Sequence, residues 1–146
     1  MGLDLKPWFR NVMATYSGML DTNTLLRILL DDNEQQVTKF WKFIEGKRPV
    51  FIPDMVFAEM VYILMGHYQY SRTEVAAAFF ELIEDRGFVT NGAVLTKAIS
   101  HFVKHPALSY ADCYLAFLAS EQDVPLYTFD KKLINQSAGL AKPITS

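Results

Sequence analysis

Apolar side chains recur along this chain with helical spacing in some stretches and run together in others. Leu25, Leu26, Ile28 and Leu29 share one face of a helix opened by Asp21-Thr22-Asn23. Val37, Phe40, Trp41 and Ile44 repeat the pattern from about Asn33 to Ile44, at the i, i+3, i+4, i+7 spacing of an amphipathic helix. Between the helical stretches lie short apolar runs at Ser17 to Leu20, Val50 to Ile52, Phe88 to Thr90 and Pro125 to Phe129. They are short enough for strands, the first of them a buried one. Punctuation residues mark the joins. Gly46 ends the second helix, and Pro53-Asp54 starts a third with Asp54 as its cap. Ser71-Arg72-Thr73-Glu74 is a capping box for a helix from about Thr73 to Asp85. Pro106 closes another that begins near Ala93, Ser109 begins the next, and Asp130-Lys131-Lys132 begins a last short one.

Strands alternating with helices or helix pairs predict an α/β fold: a parallel central sheet of four to five short strands with helices on both faces. Lys6-Pro7-Trp8-Phe9-Arg10 has no period. Residues 1–16 are therefore expected to form an N-terminal arm, either loose or with a short helical turn, and residues 17–146 a single domain. In such folds ligands bind beyond the carboxyl ends of the strands.

Four acids interrupt this pattern. Asp21 follows Gly-Met-Leu, and Glu59 sits inside Met-Val-Phe-Ala-Glu-Met-Val-Tyr. Asp112 sits inside Tyr-Ala-Asp-Cys-Tyr-Leu-Ala, and Asp130 follows Leu-Tyr-Thr-Phe. Acidic side chains rarely occupy apolar segments without a partner, and no Lys or Arg is placed locally to pair with Glu59 or Asp112. The helix from Met55 to Met65 is apolar on every side except Glu59, as expected of a helix enclosed by protein or lying at an oligomer interface. Asp21 and Asp130 end strands, Asp112 lies in the first turn of its helix, and Glu59 lies about two turns into the helix after a strand. All four reach one rim of the expected sheet, where a hard divalent cation would satisfy them together.

Bulk properties narrow the chemistry further. The chain has 146 residues, 51% hydrophobic and 21% charged, so it is long enough for one domain with its own core and unlike a disordered chain. No apolar run approaches the roughly 20 residues that span a membrane, and Met1 to Gly18 has no signal-peptide pattern. The single cysteine, Cys113, excludes an internal disulfide and suits a reducing cytoplasm. A net charge of −2 gives no global attraction to a polyanion, which a local basic patch or a metal would have to hold.

Carboxylates that hold one or two magnesium or manganese ions while leaving coordination positions open provide what phosphodiester hydrolysis requires. Without a cation, each like-charged pair at about 5 Å and an effective dielectric near 20 costs roughly 3 kcal/mol. One or more acidic pKa values should then be raised. Thr22, Asn23 and Thr128 are placed to hydrogen-bond the carboxylates. Lys131 and Lys132 are placed to touch substrate phosphates.

Met19-Leu20-Asp21-Thr22-Asn23, the Ala58-Glu59 helix, Tyr110-Ala111-Asp112 and Tyr127-Thr128-Phe129-Asp130 together resemble the four acidic motifs of PIN-domain nucleases. The match covers about Ser17 to Leu140, and the compact size is similar to the VapC-type toxins of toxin–antitoxin modules. The resemblance implies a magnesium- or manganese-dependent endoribonuclease acting on RNA, a homodimer, silenced by a cognate antitoxin protein that covers the acidic pocket. The chain departs from the family in its late first motif and in its lack of a strongly basic surface.

Each residue also has a plainer reading. Asp21 and Asp130 would cap helices, and Asp112 would pair with Ser109 in a Ser-x-x-Asp cap. His101 and His105, four apart, have the spacing of zinc ligands but no third candidate, and read better as a packed or solvated pair. Cys113 reads as a small buried hydrophobe. Trp41, Phe79, Phe80 and Phe117 read as core or dimer contacts, and Lys39, Lys42, Lys47 and Arg48 as surface charges. Two rival functions remain open at this point: an RNA-processing nuclease of the same fold without an antitoxin, and a catalytically silent α/β interaction module.

Overall fold

A computed structural model describes residues 16–47 and 49–145. The arm expected over residues 1–16 thus lies outside the described residues except for Tyr16, as does Arg48. Two helices open the described chain, α1 (Thr22–Leu30) and α2 (Glu34–Ile44), the second capped by the Asn33 side chain, which accepts from the Gln36 N–H. Strand β1 (Val50–Phe51) leads to α3 (Asp54–Gly66) and α4 (Arg72–Glu84). Strand β2 (Phe88–Val89), α5 (Gly92–Lys104) and α6 (Tyr110–Glu121) follow, then β3 (Leu126–Thr128), α7 (Lys131–Gln136) and β4 (Ala141–Pro143). The predicted capping box forms in full at Ser71 and Glu74.

The strands form two small parallel ladders. β1 pairs with β2, with Val50 opposite Phe88, and β3 pairs with β4, with Leu126 opposite Ala141. The segment at Met19 adds a single bridge to Phe51, held by Leu20 N–H donating to the Phe51 carbonyl at 3.0 Å and Phe51 N–H donating to the Gly18 carbonyl at 2.8 Å. The buried strand expected there is therefore a one-residue bridge, with Met19 61% exposed. Gly18 offers no side chain, and no described strand covers the other edge of this segment. Among the described residues the ladders are separate, where the sequence pattern predicts one sheet.

The core is built by α3, α4 and α5 with α1 and α6 against them. Phe57, Met60, Phe79, Leu95, Ile99 and Phe102 are fully buried or nearly so, each contributing roughly 1.5–3 kcal/mol by leaving water. Phe57 meets Phe79 edge to face with ring centroids 4.8 Å apart, a favoured aromatic geometry. Helix α3 is not enclosed as its composition suggests. It buries Val56, Phe57, Met60, Val61 and Leu64 but leaves Ala58, Glu59, Met55 (72% exposed) and Tyr62 (82% exposed) open along the opposite face.

Arg72 fixes the turn between α5 and α6. Its guanidinium donates to the carbonyls of Phe102 and Leu108 at 2.8 Å, Pro106 at 3.0 Å and His105 at 3.3 Å, and it stacks over the Phe102 ring at 3.8 Å. These carbonyls include the C-terminal acceptors that a helix cannot satisfy internally, and a planar five-donor fork reaches several at once. Arg72 thereby holds the approach to Ser109, whose side chain caps α6 ahead of Asp112.

Candidate active site

The chain leaves its bridge to β1 at Asp21 and turns into α1, while β1 leaves for α3 at Ile52 and Pro53. The parallel pairing brings these two exits side by side and α1 against α3. Asp21 is the N-cap of α1, with extended backbone and a carboxylate that accepts from the Thr24 N–H at 2.9 Å. One turn and a half into α3, Glu59 faces outward. The buried Thr22 hydroxyl donates to Glu59 Oε2 at 2.5 Å, so the first residue of α1 aims the acid on α3. Asp21, Thr22, Asn23 and Glu59 line one open pocket of about 390 Å³, with Pro53, Met55, Val56 and Ile63 as its apolar walls.

No cation lines this pocket. Hydrogen bonds from the Thr24 side chain and then its backbone N–H hold Asp21 below the usual carboxylate range, outweighing a small burial effect. The raised acidic pKa expected from crowding is thus not what Asp21 shows: it is exposed, and its cap bonds favour the charged form. Two exposed carboxylates, a hydroxyl and an amide side chain, with no sulfur or imidazole among them, make an oxygen-only donor set that fits magnesium or manganese.

Asp112 and Asp130 lie outside the walls of that pocket. Among the described residues no three His, Cys, Asp or Glu side chains come close enough together to hold one ion. Asp112 is half-buried in the first turn of α6, its N–H donating to Ser109 Oγ at 3.1 Å. Asp130 caps α7, accepting from the N–H groups of Lys132 at 2.9 Å and Leu133 at 3.3 Å. Thr128 Oγ1 accepts from the Asp130 N–H at 3.0 Å and so sets the entry to that cap. Lys131 and Lys132 are exposed at the start of α7.

Cys113, His101 and His105 are engaged in packing. Cys113 is fully buried, and burial pushes its thiol up to about 11 against the opposing effect of the Arg72 charge. His101 and His105 stack with centroids 3.7 Å apart. His101 Nε2–H donates to the Gln136 carbonyl at 2.6 Å and His105 Nδ1–H to the His101 carbonyl at 3.0 Å. The first bond ties α5 to α7 and the second closes the C-terminal turn of α5.

One acid was missed as a partner. Asp54 is expected to cap α3, yet Pro53 holds the cap position without a side-chain bond. The Asp54 carboxylate turns inward instead. Its Oδ2 accepts from Asn91 Nδ2 at 3.0 Å and from the Tyr114 hydroxyl, while Oδ1 and the Tyr110 hydroxyl are buried without a protein partner. Burial first, and then Asp54, push the Tyr114 phenol far above its ordinary value. Asp54 stands five residues before Glu59 and Tyr114 two residues after Asp112, so this bond pins together the two helices that carry those acids. The sequence signal was present, because Asp54, like Glu59, has only uncharged residues as its immediate neighbours.

No helix among the described residues is long and apolar enough to cross a membrane. No curated protein matches the chain in sequence. The family model of the PIN domain, whose members are in general metal-dependent nucleases acting on nucleic acid, matches residues 18–138, a span that contains all four isolated acids and the pocket between α1 and α3, and the chain belongs to the PIN domain family.

Proposed function

We propose that the protein is a magnesium- or manganese-dependent endoribonuclease that hydrolyses RNA phosphodiester bonds, and that it serves as the VapC-like toxin of a toxin–antitoxin pair in the cytoplasm. The observation that carries the nuclease reading is the open, cation-free pocket in which Asp21 and Glu59 stand together with Thr22 bonded to Glu59. Asp21 and Glu59 would hold the ion, and Asp112 and Asp130 complete its ligand set from α6 and the start of α7. When bound, a divalent ion supplies charge neutralisation at the phosphate and lowers the pKa of a water. The protein's own groups do the rest. Thr24 keeps Asp21 ionised, Thr22 fixes the Glu59 rotamer, Asn23 offers an amide at the pocket rim, and Thr128 orders the backbone at Asp130. Lys131 and Lys132 would receive substrate phosphates as they open α7.

The same reading takes residues 17–146 as one PIN-like domain preceded by the arm, and joins the two ladders into one parallel sheet with Met19 and Leu20 beside Leu126 to Thr128. The parallel direction of both the Met19–Phe51 bridge and the β3–β4 ladder supports this. Ready disulfide formation between Met19→Cys and Tyr127→Cys is the measurement that decides it. A cognate antitoxin would cover the acidic pocket, with Met55 and Tyr62 about one turn to either side of Glu59 providing apolar contacts. The active assembly is a homodimer.

Purified protein should cleave total RNA with manganese or magnesium and stop when a chelator is added. Asp21→Asn should abolish cleavage while lowering the melting temperature only slightly, because Asn caps a helix as well as Asp does and only the stabilisation that the ionised cap draws from Thr24 is lost. Undiminished cleavage by that variant rejects the site. For the toxin role, expression should arrest growth, and Asp112→Asn should release the arrest; normal growth on wild-type expression rejects it.

A further inference from the structure

Charge is distributed unevenly along this chain. Between Asp85 and Asp112, and again from Lys131 to Ser146, there is no acid. These two stretches hold six of the fourteen cations, leaving eight cations against all sixteen acids elsewhere. A net charge of −2 therefore conceals a basic region and an acidic one. The two acid-free stretches meet in space, since His101 on α5 donates to the carbonyl of Gln136 at the end of α7 at 2.6 Å.

Helix α5 presents a face with the chemistry to use that charge. Thr96, Lys97, Ser100, His101 and Lys104, together with Phe117 of α6, line a shallow pocket of about 270 Å³. Lys97 and Lys104 are exposed, and neither side chain makes an ion pair or hydrogen bond among the described residues. Seven residues apart, they stand on one helix face about 10 Å apart along the axis, with the Thr96 hydroxyl nearby as a polar contact for a phosphate oxygen, while the Ser100 hydroxyl donates to the Thr96 carbonyl at 2.7 Å. Phe117 packs edge-on to His101 at 5.5 Å, and its half-exposed ring offers an apolar surface for a base. From His101 the contact to Gln136 leads onto α7. That helix is six residues long, so Lys131 and Lys132 lie within about 10 Å along its axis, beside Asp130.

We propose that this face of α5, continued by the lysines that open α7, binds the sugar–phosphate backbone of a single-stranded RNA and leads it toward Asp130. The proposal deepens the nuclease reading and rests on it for the identity of the strand, but the binding it asserts does not depend on cleavage. Phosphate contacts by lysine carry affinity without sequence preference and impose a steep salt dependence.

The test is fluorescence anisotropy with a labelled single-stranded RNA 12-mer, in chelator so that nothing is cut, across a series of salt concentrations. Lys97→Ala/Lys104→Ala should weaken binding about 10-fold near 0.1 M salt and flatten the log–log salt slope by roughly 1.4, at about 0.7 per phosphate contact on a single strand. The control pair Lys39→Ala/Lys42→Ala on α2 should stay within about 2-fold of the wild type, the spread expected of charges that touch no phosphate. Unchanged affinity and slope in the α5 variant overturn the proposal, as does an equal loss in the α2 control. It is also overturned if a labelled poly-glutamate peptide binds as tightly and suffers the same loss, since the face would then serve an acidic protein. Asp21→Asn separates the two readings. It should bind the RNA normally in chelator yet fail to cut it with manganese; if it still cuts, the acidic site is misassigned while the α5 track stands.

Discussion

Helix α3 carries two carboxylates five residues apart that have opposite fates. Asp54, in the first turn, is turned into the protein, where Asn91 and Tyr114 donate to one of its oxygens and the other is sealed from water. Glu59, one and a half turns later, is exposed on the wall of an open pocket with a single hydroxyl bond from Thr22. In sequence the two look alike, each an acid among apolar neighbours. What separates them is which way the helix turns them and whether donors from other elements reach them. A buried carboxylate with donors on it joins helices, and an exposed one in a pocket free of cations is available to a ligand. Isolation from charge along the chain therefore marks an acid that needs explaining, and the fold supplies the explanation.

The largest effect expected on this contrast falls on catalysis. Glu59→Gln keeps the acceptor for the Thr22 hydroxyl and the shape of the pocket, so the protein should melt within a few degrees of the wild type. RNA cleavage with manganese should fall by more than about 100-fold, since even indirect contacts to metal ligands are worth roughly 10- to 100-fold. Cleavage that survives at a tenth of the wild-type rate breaks the distinction between the two acids.

Asp54→Ala should give the reverse pattern on stability. It strands the Tyr114 hydroxyl and the Asn91 amide in a half-buried space, and an unsatisfied buried donor costs about 1–3 kcal/mol. In a domain of this size a loss of about 2 kcal/mol lowers the melting temperature by roughly 4–8 °C. Manganese binding, followed by calorimetry, should weaken far less than in Glu59→Gln. Loss of metal affinity equal to that of Glu59→Gln, at wild-type stability, would place Asp54 among the ligands instead.

How much of this was legible before folding follows the same division. Every helix was, because its signals are local: the capping box at Ser71 and Glu74, the Ser109 and Asp130 caps, and apolar spacing along α1 and α2. Strand β4 was not. Ala141-Lys142-Pro143 has no β-branched or aromatic residue, and its Pro and Lys suit an edge. Only the partner β3 makes it a strand. Met19 reads as buried because its run is apolar, but burial depends on what lies at the free edge of that segment. The Asp21–Glu59 pocket was half legible. The identities of its acids stand in the sequence, whereas the Thr22 bond that links them spans thirty-seven residues. The Arg72 clamp and the Lys97–Lys104 face are also products of packing. Arg72 looks like the second residue of a capping box until α5 ends beside it, and the two lysines look like ordinary surface charge until the acid-free segments meet.

The smallest effect concerns Asp21, whose role as cap and as candidate ligand depends on its remaining ionised. Its folded pKa is depressed by the Thr24 side chain and N–H. The stability that the ionised cap contributes is therefore fully present above the unfolded Asp value, about 3.9, and is lost as pH falls through the lower folded value. Because Asp21 is exposed, that loss should be local. Exchange of the Thr24 amide should quicken as pH falls through the folded value, relative to the intrinsic rate of an unprotected amide. The amides of α5 should keep their protection, and the Asp21 carboxyl carbon should titrate below the ordinary Asp range by NMR. An Asp21 that titrates above that range would mean that repulsion from Glu59 and its neighbours outweighs the cap, and the pocket would then be the crowded anionic site that the sequence alone suggests.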